Sequence, residues 1–358
     1  MAKFALRLEA RPAPSRLMSW LSPVLAVLLT VLCGALLFLA LGHDPLAGLA
    51  VFFVEPLRDA HGWSELGLKV APLLLIAVGL AICFRANIYN IGAEGQLTLG
   101  AICGGAAALY LDDGVGGAAI IGVSLLAGMA GGMAWAGLVA WLRDRYNASE
   151  ILVSLMLVYI AQLLLSYLVY GVLRDPEGFN FPQSKLLSDG LLLPMVISDT
   201  RLHVGIVFAL LASLGGWLYL SRSIAGFRLR VGGMAPAAAR YAGFSSRKTL
   251  WSSLLICGAL SGLAGACEVL GPMGQLTPTV SPGYGFAAII VAFVGRLHPV
   301  GVLFSSFVMA LFYIGGELAQ SRLGLPSAIT GVFQGILLFA LLACDVLIQY
   351  KLRWRKHG

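Results

Sequence analysis

The segment Asn87-Ile-Tyr-Asn-Ile-Gly-Ala-Glu-Gly-Gln96 interrupts two apolar stretches of the chain. It holds two asparagines, a glutamate, a glutamine and two glycines, whereas residues 70–84 before it and 95–111 after its glutamate carry no charged side chain. In a membrane, such a polar break is tolerated only where it is buried in protein or lines a cavity, and transporters build substrate sites from breaks of this kind. The alternative interpretation is an ordinary cytoplasmic loop between two helices.

The composition indicates a membrane protein. Hydrophobic residues make up 59% of the 358-residue chain and charged residues 11%, against about 45–50% and 25% in soluble domains. The mean hydropathy is +0.89, and several uncharged runs approach or exceed the ~20 residues that a spanning helix needs. The chain is therefore predicted to be one all-α, polytopic transmembrane domain over residues 1–358.

About ten transmembrane helices fit the apolar runs when the shorter pieces on either side of the polar break are counted. The predicted spans are 21–42, 66–84, 91–111, 114–142, 151–173, 202–221, 249–267, 283–295, 299–316 and 327–348.

The distribution of basic residues predicts the orientation. With the N-terminus in the cytoplasm, 18 of the 24 Lys and Arg residues lie on the inner side, so the positive-inside rule supports both termini being cytoplasmic. This gives a cytoplasmic arm at 1–20, a cytoplasmic loop at 222–248 and a basic cytoplasmic tail at 349–358. The net charge of +7 reflects this asymmetry and needs no nucleic-acid partner. The inner basic residues are Lys3, Arg7, Arg11, Arg16, Arg85, Arg143, Arg145, Arg222, Arg228, Arg230, Arg240, Arg247, Lys248, Arg296, Lys351, Arg353, Arg355 and Lys356.

The sequence contains none of the enzyme motifs GxxxxGK[ST], HExxH and GxSxG. Because the chain has no P-loop, any ATP-driven role requires a partner subunit that binds ATP and Mg²⁺. The six cysteines form no CxxC pair and the five histidines lack ligand spacing, so no metal site and no cofactor is predicted in this chain.

The cytoplasmic loop at 222–248 carries six basic residues and no acid. Within it, Pro236 suits the first turn of a helix, the alanine run favours helix and Gly243 suits the helix end. A helix of about two turns is too short to be stable alone, so it is predicted to dock onto something. The alternative is a basic interfacial helix that contacts lipid head groups.

Five segments along nearly the whole chain carry a family resemblance. The sequence resembles the permease subunits of ATP-binding-cassette (ABC) importers in the branched-chain amino acid and simple-sugar permease family. Within that family it is most similar to nucleoside-type permeases that work with a basic-membrane-protein-like binding lipoprotein. The segments are Pro14-Ser-Arg-Leu-Met18 with Leu21-Ser-Pro23; Phe53-Val-Glu-Pro56; Asn87 to Gln96; Ala238-Ala-Arg-Tyr-Ala-Gly243; and Gly285 to Gly301.

The resemblance implies partners and a coupling role. Such importers combine two permeases, two ATPase sites and an external substrate-binding lipoprotein, and the second permease is expected to be a different, shorter chain. ATP-driven closure of the ATPase pair is expected to push on the short cytoplasmic helix. Relatives usually carry Gly-Glu-Asn before the proline, whereas this chain has Gly233-Met-Ala-Pro236 and lacks those polar groups. The implied coupling residues are Gly233, Pro236, Ala238, Ala239, Arg240, Tyr241, Ala242 and Gly243.

Polar residues in or beside spans are candidates for the substrate path, because polar groups inside a membrane usually face the bundle interior. Asn, Gln and Tyr side chains supply the donors, acceptors and aromatic face that a nucleoside needs. Glu94 has the alternative role of capping the N-terminus of a half-helix. The predicted path residues are Asn87, Asn90, Glu94, Gln96, Thr98, Gln275 and Tyr284, with Gln162, Glu268, Thr277 and Gln334 as further polar residues of the spans.

Three other features receive local predictions. Three prolines and three glycines preclude a continuous helix over 268–283, which is interpreted either as a re-entrant gating segment or as a plain outer loop. Residues 43–65 are expected to lie along the outer surface. Gly128-x-x-x-Gly132 and Gly258-x-x-x-Gly262 are expected to allow close helix packing.

The function is therefore expected to be that of an ABC importer permease for nucleosides. A simple-sugar permease of the same family is the alternative, followed by an ATP-independent secondary transporter. A channel or a purely structural membrane protein explains little of the polar pattern.

Overall fold

Apolar runs form helices throughout the computed structural model, which describes residues 4–13, 15–112 and 117–356. Lys3, Pro14, Asp113, the start of the predicted span at 114 and the last two residues of the tail lie outside the described residues. The helices are α1 (Arg16–Ala40), α2 (Pro45–Leu49), α3 (Ala60–Arg85), α4 (Ala93–Leu111), α5 (Gly117–Tyr146), α6 (Glu150–Tyr170), α7 (Gly205–Arg222), α8 (Ile224–Met234), α9 (Pro236–Tyr241), α10 (Ser246–Glu268), α11 (Tyr284–Val294), α12 (Pro299–Leu323) and α13 (Ile329–Gln349). Two strands, β1 (Phe4–Ala10) and β2 (Tyr350–Lys356), and short π and 3-10 turns complete the described elements.

Eight of the described helices are long and apolar enough to cross a membrane: α1, α3, α5, α6, α7, α10, α12 and α13. The prediction of an all-helical, multi-pass architecture is confirmed at this level. Helix α4 has 19 residues, but Glu94 and Gln96 in its first turn lower its hydropathy.

One of the ten predicted spans is too short to cross. Residues 283–295 form only the 11-residue helix α11, which is about 16 Å long, against a hydrocarbon core about 30 Å thick. The backbone before it is irregular, so α11 cannot be extended toward its N-terminus. This element is a half-helix and not a full span.

The described residues fall into two compact units, Met1–Gly62 with Leu311–Gly358, and Trp63–Ala310. In the first unit, β1 pairs antiparallel with β2, with Ala10 opposite Tyr350. No strand was predicted in the arm or the tail. The pairing brings the described N-terminal and C-terminal segments of the chain together.

An aromatic core holds the first unit together beside the packed pair α1 and α13. Phe52 stacks on Phe333 with ring centroids 4.3 Å apart, and Phe38 and Phe312 pack against the same two rings. Phe52 is fully buried. Within residues 43–65, the π turn at Ala50–Val54 turns Phe52 into this core, and the placement of the segment along the outer surface of the membrane stays a prediction.

Helices α4, α5 and α10 form the centre of the second unit. Their glycines let the backbones touch: Gly132 lies against the carbonyl oxygen of Gly258, and Gly262 lies against that of Gly128. The prediction of close packing at the two GxxxG pairs is confirmed, and the two pairs pack against each other.

Candidate functional site

The polar break begins where α3 ends. The Ile88 amide donates to the Cys83 carbonyl and the Asn87 amide to the Phe84 carbonyl, both at 3.0 Å, which are the hydrogen bonds of a helix C-terminal cap. Asn87 has φ = 58°, a left-handed conformation that asparagine tolerates better than most residues. This cap accounts for an asparagine at position 87, and its side chain remains exposed.

Asn90 and Gln96 form a reciprocal amide pair that fixes the start of α4. Each side-chain nitrogen donates to the other's oxygen at 3.2 Å, and the Asn90 oxygen also accepts from the Gly92 amide at 3.0 Å. Both side chains have no exposed surface. The Asn90 nitrogen donates as well to Cys257 Sγ of α10. The side-chain amides of this pair therefore have hydrogen-bond partners within the protein in the present conformation.

Glu94 joins the N-termini of two helices. It lies in the first turn of α4, and its Oε2 accepts from the Gly285 amide at the start of α11 at 2.6 Å. The Ser281 hydroxyl and the Gly283 amide also hydrogen-bond to the carboxylate. A carboxylate is favoured at a helix N-terminus, where the amide dipoles point toward it. Glu94 thus caps α11 through hydrogen bonds, and in α4 it occupies the first turn, where the dipole favours a carboxylate.

Gly285 permits this contact. A Cβ atom at position 285 would lie 2.5 Å from Cα and 2.8 Å from Cβ of Glu94, so any side chain would separate α11 from α4. Thr98, one turn beyond Glu94, donates its hydroxyl to the Glu94 carbonyl at 2.8 Å and is buried.

The other predicted path residues lie at different places. Tyr284 is buried beside Glu94 at the start of α11, and the Lys69 ammonium lies 5.9 Å from its ring centroid. Lys69 also attracts the buried carboxylate of Glu268. Gln275 is half-buried in the irregular segment before α11. Thr277 lies in the same irregular segment. Gln162 is exposed on α6, and Gln334 lies on α13 in the first unit.

The loop at 222–248 contains the helix expected at Pro236. Helix α9 covers Pro236–Tyr241, and Gly243 closes it with φ = 76°. Tyr241 is 97% exposed, whereas Ala239 is only 4% exposed. Within α9, Tyr241 therefore points outward and Ala239 packs inward. The neighbouring helix α8, Ile224–Met234, was not predicted.

Gly233 connects this loop to the polar break. A Cβ atom at 233 would lie 2.9 Å from the Ala86 carbonyl carbon, so the loop backbone lies directly on the end of α3. A cleft of about 510 Å³ continues this contact. Its lining includes Asn87, Ile88, Arg143, Pro236, Ala239 and Arg240.

Basic groups surround the same end of α3. The Arg85 Nε donates to the Leu297 carbonyl at 2.7 Å. Partial burial, together with the positive charge of Arg85, lowers the pKa of His298 in the turn between α11 and α12. The loop at 222–248, the polar break and the end of α11 thus meet in one region of the second unit.

A family model described as "Branched-chain amino acid transport system / permease component" matches residues 64–342. The chain belongs to this family. It is the permease subunit of an ABC importer and a multi-pass membrane protein, and permeases of this kind are not themselves enzymes. Members of the family act with an ATPase and a substrate-binding protein.

Three curated relatives of this permease cover most of its length. It is 32% identical to the glucose ABC transporter permease protein TsgB13 of Haloferax volcanii, over 97% of this chain and 93% of that protein. It is 31% identical to the guanosine ABC transporter permease protein NupP of Bacillus subtilis, over 90% and 93%. It is 26% identical to the nucleoside ABC transporter permease protein NupB of Lactococcus lactis, over 89% of each chain.

Sequence reasoning missed two contacts that organise this permease. Ser281 and Gly285 hold Glu94 from almost two hundred positions away, and Gly233 rests on the end of α3. Their signal was present in the resemblance, since Gly285 and Gly233 both lie in or beside family motifs. Nothing in the local sequence indicates which distant element each glycine approaches.

Proposed function

We propose that this permease forms the translocation path for nucleosides. The observation that carries the proposal is the buried amide and carboxylate cluster of the polar break, in a chain similar to guanosine and nucleoside permeases over about 90% of its length. Amides and aromatic rings are suited to base edges, ribose hydroxyls and base faces. The second candidate is a simple sugar, which the similarity to a glucose permease favours. Family membership excludes the ATP-independent alternative.

Uptake into right-side-out reconstituted vesicles, with ATP and Mg²⁺ enclosed and the binding protein outside, tests the substrate. With the ATPase, the second permease and the binding protein assembled, labelled guanosine is expected to accumulate only with ATP and Mg²⁺. An excess of unlabelled nucleoside is expected to abolish accumulation, and glucose or ribose is expected to leave it unchanged. Accumulation of labelled sugar that nucleosides do not inhibit would instead favour the sugar permease.

The proposed path includes the polar break and the start of α11. Asn87 is exposed and can contact a passing solute. In this conformation the side chains behind the path surface are buried and hold its backbone in place; they are Asn90, Glu94, Gln96 and Thr98. Gln275 and Tyr284 flank its other end. A change of conformation that opens the amide pair exposes donors and acceptors to the solute, and the cost of losing protein partners is then offset by solute and water.

The assembly we propose has one transmembrane domain per permease, with the arm at 1–20, the loop at 222–248 and the tail at 349–358 in the cytoplasm. The pairing of β1 with β2 supports both termini being on one side. Its partners are an ABC ATPase that binds ATP and Mg²⁺, a second and different permease, and an external binding lipoprotein. Relatives from Bacillus subtilis and Lactococcus lactis favour a bacterial cytoplasmic membrane.

Coupling is assigned to the exposed side of α9, with Gly233, Pro236, Ala238, Ala239, Arg240, Tyr241, Ala242 and Gly243 forming the docking element. Tyr241, rather than Ala239, is the side chain positioned to contact the ATPase, because Ala239 is buried within the loop. Ala239 and Gly233 are proposed to transmit force inward to the end of α3.

The substitution Tyr241→Ala is expected to reduce copurification of the ATPase and to lower uptake about tenfold. The side chain is 97% exposed, so its removal leaves the fold of the permease unchanged. Phe179→Ala is the matched control, because this equally exposed ring lies in the segment between α6 and α7, on the opposite side in the predicted topology. Full copurification of the ATPase with the Tyr241→Ala variant would contradict the assigned contact.

A further inference from the structure

The half-helix α11 has one buried side and one open side. Gly285, Ala288 and Ala292 are buried, and Gly285 lies against Glu94 of α4. On the open side, Phe286 is 39% exposed and Phe293 is half-buried. These two phenylalanines are seven residues apart, so they share one helix face about 10 Å apart along the axis.

The inner end of this open side continues into the polar break. The Phe293 ring stacks on Phe84 with centroids 5.0 Å apart and an interplanar angle of 17°. Tyr89 packs on the same Phe84 ring at 5.7 Å, and 39% of Tyr89 is exposed. The surface formed by Phe286, Phe293 and Tyr89, with the buried Phe84 ring behind it, is called the aromatic wall below. It ends beside the exposed amide of Asn87.

Lipid is an unsuitable neighbour for this side. The segment that leads into α11 has no regular secondary structure over 274–283, its glycines at 274 and 283 are left-handed, and Thr279 and Pro282 are exposed. Irregular backbone at membrane depth is tolerated only where it is buried in protein or lines a water-filled cavity. An 11-residue helix also leaves about half of the hydrocarbon thickness to this irregular backbone. The exposed residues of this irregular segment, next to the open side of α11, are therefore compatible with a water-filled path and not with lipid.

We propose that the aromatic wall lines the translocation path and that Phe286 and Tyr89 stack on the flat base of the solute as it passes. This assignment rests on the proposed nucleoside function. Two exposed rings at two levels provide successive stacking positions, while Asn87 at the inner end supplies an amide for a base edge or a ribose hydroxyl. Aromatic side chains bind any nucleobase through its π face, so the wall selects heterocycles as a class and not one base.

Thiol labelling tests the position of the wall independently of the substrate. In the assembled transporter with Cys33 and Cys103 replaced by alanine, the Phe286→Cys variant is expected to react with a charged, membrane-impermeant thiol reagent. Addition of ATP and of substrate-loaded binding protein is expected to change the rate at which this cysteine is labelled. Phe304→Cys on α12 is the matched control, because this ring is 69% exposed on a long apolar helix, where lipid excludes a charged reagent. If the Phe286→Cys variant reacts no faster than the control, the aromatic wall does not line the translocation path.

Uptake tests the stacking role. Tyr89→Leu and Phe286→Leu are expected to lower nucleoside uptake about tenfold, whereas Tyr89→Phe keeps the ring face and retains uptake near that of the unmodified transporter. Equal uptake by all three variants would overturn the stacking contact. If Phe286→Cys reacts but the unmodified transporter carries sugars and no nucleosides, the wall stands and the proposed nucleoside function is rejected. If nucleosides are carried and Phe286→Cys does not react, the nucleoside function is kept and the assignment of the aromatic wall to the path is rejected.

Discussion

Replacing Gly132 of α5 with alanine is expected to lower the stability of the permease strongly. The new Cβ would overlap the Gly258 carbonyl oxygen and lie 2.7 Å from the Gly262 Cα. Both neighbours are backbone atoms of α10, so no side chain can rotate away. Overpacking typically costs about 1–3 kcal/mol, and we expect the upper end of that range. The measurement is the unfolding temperature of the purified permease in detergent.

Gly122→Ala is the control for this prediction. Gly122 lies on the same helix, and a Cβ there would meet nothing within 4 Å. Because alanine favours helix over glycine by up to about 1 kcal/mol, this variant is expected to be as stable as the original or slightly more stable. Equal unfolding temperatures for the two variants would show that α5 and α10 do not pack through these glycines.

The glycine pairs show what sequence patterns predict well. Close packing was predicted from the spacing of Gly128 with Gly132 and of Gly258 with Gly262, because small residues one turn apart make a groove on any helix. The pairing of those two grooves with each other was not predicted. It depends on which helices become neighbours in space, and spacing along one helix carries no information about that choice.

The loop at 222–248 also has one feature that the sequence predicted and others that it did not. Pro236 and Gly243 predicted the bounds of α9 because both act through their own backbone conformation. The inward direction of Ala239 was not foreseen, since the alanine run offers no amphipathic contrast. The contact of Gly233 with the end of α3 is also a property of tertiary structure.

The half-helix α11 was the main error in counting spans. Its apolar run is long enough to suggest a crossing when the flanking residues are included, but the irregular backbone before Gly283 reduces the helix to 11 residues. The strands β1 and β2 were missed for a different reason. They are about 340 residues apart and neither was considered as a strand, so their pairing had no local signal.

These contacts form a continuous route through the second unit. Gly233 lies on the end of α3, the end of α3 leads into the amide pair of the polar break, and Glu94 at the start of α4 holds the start of α11. We propose that a displacement of α9 is passed to both helix starts through the backbone contact of Gly233 and the side-chain contacts of the amide pair and Glu94. Glu94 is the last rigid connection on this route.

Replacing Glu94 with alanine is expected to abolish most nucleoside uptake, by at least about tenfold, while the permease still assembles with its ATPase. The substitution removes the acceptor of the Ser281 hydroxyl and of the Gly283 and Gly285 amides. The buried Gly285 amide is left without its acceptor, which costs about 1–3 kcal/mol. The Gly283 amide keeps the Ser281 hydroxyl oxygen as an acceptor. An 11-residue helix has little stability of its own. The start of α11 is then expected to loosen, so that the path no longer responds to α9.

Two further variants separate this role from a general effect of losing a carboxylate. Glu94→Gln keeps one oxygen acceptor for the Gly285 amide, and we expect uptake between that of Glu94→Ala and that of the original permease. Glu150→Ala removes a glutamate from the first turn of α6, where its ion-pair partner Arg143 lies 3.4 Å away and is partly exposed. Because solvent-exposed ion pairs contribute little, we expect near-normal uptake. Normal uptake by Glu94→Ala would show that α11 keeps its position without this carboxylate, and loss of assembly in the same variant would show that the carboxylate is needed for folding and not for transmission.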